Sequence, residues 1–78
     1  KRNNWRLAQR NLEEALNAVP PNDENAKKQV LFELASGFAA NGELQRAIDL
    51  GQDLANMDFS YKQIGKLLDG WEKELQEA

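Results

Sequence analysis

Apolar residues recur along the chain in steps of three and four, and the rhythm is interrupted at three places. Trp5, Ala8, Leu12, Ala15, Leu16 and Val19 share one face of a 3.6-residue period, which predicts a first helix over 4–19. Asn3 or Asn4 is placed to cap it. Pro20-Pro21 ends it, because proline has no N–H to donate and biases its predecessor away from the helical region. In the linker "PPNDEN", Asn22 or Asp23 is a suitable N-cap for a second helix over 23–40. That helix carries Ala26, Val30, Leu31, Leu34, Ala35, Phe38 and Ala39 and stops at Asn41-Gly42, where glycine takes the left-handed conformation cheaply.

The pattern resumes at once with Leu44, Ala47, Ile48, Leu54 and Ala55, predicting a third helix over 43–57. So short a turn requires the second and third helices to lie antiparallel. Ala47 and Gly51 stand four apart, a row that lets helix axes come close. A fourth helix is expected over 60–76. Ser60 and Gln63 read as a capping box, Phe59 and Ile64 as a hydrophobic staple, and Ile64, Leu67, Leu68, Trp71 and Leu75 as one apolar stripe. No segment alternates with period two over strand length. The expected architecture is all-α, four antiparallel helices in a single domain over 1–78.

Composition narrows the chemistry. The 78 residues contain no cysteine and no histidine, which removes disulfides, thiolate ligands and the usual nucleophile–histidine pairs. The first ten residues hold Lys1, Arg2, Arg6 and Arg10 and no acid. The other 68 carry six bases and thirteen acids. An acidic body is a poor match for a phosphate backbone, so no nucleic-acid partner is expected. No apolar run reaches the ~20 residues needed to cross a bilayer, so no membrane partner is expected. The expected location is cytoplasmic, with which the absence of cysteine is compatible. Asp49 and Asp53, four apart, read as a solvated acidic face rather than a cation site, and no cofactor or metal is expected. Because the chain begins at Lys1 and not Met, it is expected to be a piece of a longer protein.

Leu31, Leu34, Ala35 and Phe38 before Gly42, followed by Ala47, resemble a repeat of the tetratricopeptide family: large apolar, leucine, small, aromatic, the inter-helix glycine, then an alanine. Trp5, Ala8, Leu12, Ala15 and Pro20 are similar to the second helix of such a repeat with its closing proline. The chain departs from the pattern in a longer loop over 21–26, in Gly51 where a large residue is usual, and in Phe59 where a proline is usual.

This resemblance implies one and a half repeats plus a capping helix, the C-terminal end of a solenoid whose function is non-catalytic scaffolding. Family members line a groove with the first helix of each pair. Here that places Gln29, Phe32, Glu33, Ser36, Ala39 and Ala40 on the partner-binding face, with Arg6 and Arg10 of the basic first helix beside it. The lysines and asparagines that grip a C-terminal carboxylate in one subgroup are replaced by Gln29, Phe32 and Ser36. The expected partner is therefore an apolar or helical peptide segment of a protein. The alternative is a capping or oligomerisation module with no groove of its own, including a homodimer that pairs first helices through Trp5 and Leu12.

Overall fold

The computed structural model describes residues 2–77. They form four α-helices: α1 (Arg2–Ala18), α2 (Glu24–Ala40), α3 (Leu44–Met57) and α4 (Ile64–Glu77), with a short 3₁₀ turn at Tyr61–Gln63 before α4. There is no strand among the described residues. Helix α1 is already helical at Arg2, so neither Asn3 nor Asn4 stands ahead of its first turn. Asp23 is the cap of α2, its Oδ1 accepting the Ala26 N–H at 3.1 Å.

The reversal between α2 and α3 is closed by hydrogen bonds that name its type. The Glu43 N–H donates to the Phe38 carbonyl at 2.9 Å and the Gly42 N–H to the Ala39 carbonyl at 3.2 Å. This is the six-to-one, five-to-two pair of a Schellman motif, with Gly42 left-handed at φ 83°. The Asn41 side-chain amide adds a bond to the Gly37 carbonyl at 2.8 Å. The two helices therefore run antiparallel and share the most extensive contact in the molecule.

Helix α3 packs on both α2 and α4. The core is Leu31, Leu34, Ala35 and Phe38 from α2, Ala47, Ile48 and Leu54 from α3, and Ile64, Leu68 and Trp71 from α4. Gly51 lies in the same layer, and a β-carbon on it would come within 2.7 Å of Leu68 Cδ2 and 3.1 Å of the Trp71 ring. The missing side chain is what lets α4 approach, so Gly51 has a packing reason where a large residue would not fit. No polar or charged residue is buried among those described.

Helix α1 makes its main contact with α2. Trp5, Leu12 and Leu16 are half-buried against the core. Ala8 and Ala15, which the apolar pattern groups with them, are exposed. One main neighbour covers a narrower stripe than the pattern allows. The Trp5 ring rests where a Gly37 side chain would be and meets Phe38 edge-on at 5.3 Å. Trp5 is thus seated on α2, and Leu12 is turned toward the core. The large apolar residue that α1 exposes is Leu7, at 61%.

The start of the fourth helix departs most from expectation. The helix begins at Ile64, not 60, and the Ser60 side chain makes no cap bond to it. Lys62 and Gln63 are left-handed, at φ 44° and 60°. Phe59 lies against Gly65 and is 71% exposed, so it does not form the expected staple with Ile64.

Candidate functional site

Phe32 sits in the middle of α2, and its ring is half-buried. Tyr61, on the turn that leads into α4, meets it edge-to-face with ring centroids 5.9 Å apart and planes at 68°. The Lys62 ammonium stands 5.1 Å above the Phe32 ring and 5.7 Å from the Tyr61 ring. Lys28, one turn before Phe32, places its own ammonium 5.7 Å from Tyr61. The result is a small aromatic platform flanked by two cations.

Lys28 is anchored. Its Nζ donates to Asp58 Oδ2 at 3.2 Å, and the pair is partly shielded from solvent. The other oxygen, Oδ1, accepts the Ser60 hydroxyl at 3.0 Å and the Ser60 N–H at 3.3 Å. Asp58 therefore ties α2 to the turn before α4. These bonds, first the one from Lys28 and then the one from the Ser60 hydroxyl, hold its carboxyl below the ordinary aspartate pKa. A lowered folded-state pKa gives a contribution that is complete above the unfolded value, about 4, and is lost as pH falls through the folded value. Asp58→Asn is accordingly expected to be less stable than the natural chain by a constant margin above about pH 4. That margin should close as the pH falls further. Thermal melts of both proteins across the acid range measure it, and a margin that persists unchanged at the acid end would show that the ion pair is not its source.

The other expected site residues divide into two groups. Gln29 and Glu33 are exposed and bound to each other, with the Gln29 amide donating to Glu33 Oε2 at 3.3 Å. Ser36 and Ala39 are half-buried, and Ala40 is exposed. Together with Phe32 these positions follow one stripe of α2, and Ala40 lies ~12 Å along the axis from Phe32. At that far end Ala40 and Arg6 line a cleft of about 450 Å³ with Trp5, Asn41 and Glu43. The Trp5 indole N–H is buried there with no acceptor. Arg10 is not part of this grouping. It is exposed and turns along its own helix toward Glu14, at 3.9 Å.

Sequence reasoning leaves out Lys28, Asp58 and Lys62. The spacing of Phe59, Ser60, Gln63 and Ile64 describes a regular capped helix, and a left-handed Lys62 leaves no mark in a periodicity. A second opening lies between α1 and α3, where Leu16 and Leu50 border hollows of about 590 and 440 Å³ floored by Leu31, Leu34 and Phe38 of α2. No helix is long and apolar enough to cross a membrane among the described residues. No family model matches the chain, and neither a curated protein nor a solved structure matches it.

Proposed function

We propose that this domain is a non-catalytic protein-binding module of tetratricopeptide-like build, and that the α2 face centred on Phe32 takes an apolar, helical segment of a partner protein. The observation that carries this reading is the half-exposed Phe32 ring. A large aromatic in mid-helix, supported from one side by Tyr61 and overlain by the Lys62 ammonium, still keeps part of its apolar area at the surface and fixed in place. Ser36, Ala39 and Ala40 continue the stripe with small side chains, so a partner helix can lie close to the α2 backbone.

The test is a titration of the isotope-labelled domain with a neutral amphipathic helical peptide bearing a leucine face, followed by amide and aromatic NMR shifts. Perturbations centred on Gln29, Phe32, Ser36 and Ala39 are expected. Phe32→Ala should weaken binding at least tenfold, or about 1.4 kcal/mol. Its cost to the fold should stay near ~1–2 kcal/mol, because only part of the ring and one aromatic pair are lost. Perturbations confined to the hollow between α1 and α3, or a loss of several kcal/mol in stability, would overturn the assignment to Phe32.

A second reading has an observation of its own. The outer side of α1 exposes Leu7, Ala8 and Ala15, a face suited to another copy or another helix, as a capping or oligomerisation module would present. Size measured across a concentration series separates the two, since a dimer abolished by Leu7→Glu favours this second reading.

A further inference from the structure

The segment Asp58–Ile64 carries instructions for one conformation and adopts another. Ser60 and Gln63 have the spacing of a capping box, and Phe59 and Ile64 that of a staple. In the structure each group is engaged elsewhere. The Ser60 hydroxyl and N–H both donate to Asp58. Gln63 is left-handed, and Phe59 lies over Gly65. Two consecutive non-glycine residues with positive φ are disfavoured by their β-carbons and persist only where the surroundings hold them. The surroundings here are the Asp58 bond to Lys28 and the seat of Lys62 on Phe32 and Tyr61. Both of these contacts reach the α2 face that bears Phe32.

We infer that Asp58–Gln63 is a two-state lid on Phe32. In the closed state seen here, Lys62 covers the ring and Asp58 latches the turn to Lys28. In the open state Ser60 caps a longer α4, Tyr61–Gln63 become its first turn, and Lys62 leaves the ring for the second position of that turn. A partner segment lying on Phe32 competes with Lys62 for the same surface. It therefore binds the open state better, and its docking lengthens α4. The inference rests on the Phe32 reading above for its partner, but the lid itself has a readout without one.

Two substitutions away from Phe32 bias the states in opposite directions. Gln63→Gly removes the β-carbon from a left-handed position and should favour the closed state. In Gly65→Ala the added β-carbon would come within 2.6 Å of the Phe59 ring. Because that ring is exposed, it can leave, and the change should favour the staple and the open state. The ¹³Cα shifts of residues 61–63 report helical against left-handed backbone, and the Phe32 ring protons report the presence of Lys62. Gln63→Gly should raise the melting temperature and sharpen the closed-state shifts. Gly65→Ala should move residues 61–63 toward helical values together with the Phe32 ring signals. It should also bind the neutral leucine-face peptide at least about fivefold more tightly than Gln63→Gly.

The lid is overturned if Gln63→Gly destabilises the domain, as glycine does inside a regular helix, or if Gly65→Ala leaves residues 61–63 and the Phe32 ring unmoved. Shifts that respond in opposite directions, with no peptide bound by either variant, uphold the lid and overturn only the reading of Phe32 as a docking site.

Discussion

Phe38→Ala is expected to lower the unfolding free energy by about 3–5 kcal/mol, more than any other single truncation in the core. The ring is 2% exposed and serves three elements at once. It fills α2's share of the core, meets Trp5 of α1 edge-on, and lies 5.6 Å beneath the Arg46 guanidinium of α3. Its removal leaves a cavity beside the bare backbone of Gly37, under the Trp5 ring. A small domain starts with roughly 5–15 kcal/mol in all, so the loss takes a large part of its stability. Urea unfolding followed by helical circular dichroism gives the value directly. A loss below about 1.5 kcal/mol would mean that the site collapses to fill the void and that Phe38 is not the keystone the packing suggests.

Ala47→Leu is the second large effect, and it acts by crowding. Ala47 is 0% exposed on the helix that lies between α2 and α4. A leucine there adds three carbons to a layer with no room, and overpacking of this kind costs ~1–3 kcal/mol. Because Gly51, four residues on, already sits against Leu68 and Trp71, α3 cannot relieve the strain by moving toward α4 without new clashes. Ala15→Leu is the control. The same change on the exposed side of α1 should fall within about 0.5 kcal/mol of the natural chain. Equal stability for the two variants would show that the crossing has slack and that the small residue at position 47 is not required.

The particular residues explain how far the sequence could be read. Helix ends set by local chemistry were legible. Pro20-Pro21 stops α1, Asp23 caps α2, and Gly42 closes the Schellman turn, each acting within a few residues of itself. The core of α2 and α3 was legible because both helices are covered over a wide face. The apolar pattern of α1 is wider than the face it buries. Ala8 and Ala15 fit the same period as Leu12, and only the number of neighbouring helices decides which of them are covered. The start of α4 is not legible, because its local signals compete with Lys28, thirty residues away from Asp58 in the chain. The same distant contact hides the candidate site: Phe32 is visible in the sequence, but Tyr61 and Lys62 gather on it only once the turn has adopted its left-handed form.

The one-sided seating of α1 has a consequence of its own. A helix whose main contact is with one neighbour has little cooperative closure around it, so its opening need not await the melting of α2, α3 and α4. Amide protons of α1 should trade with solvent ahead of those in the central hairpin, and the proline-rich link at residues 20–21 becomes the natural crease along which that leaf swings free. A domain built this way offers two thresholds of order: a cohesive three-helix kernel and a detachable flap.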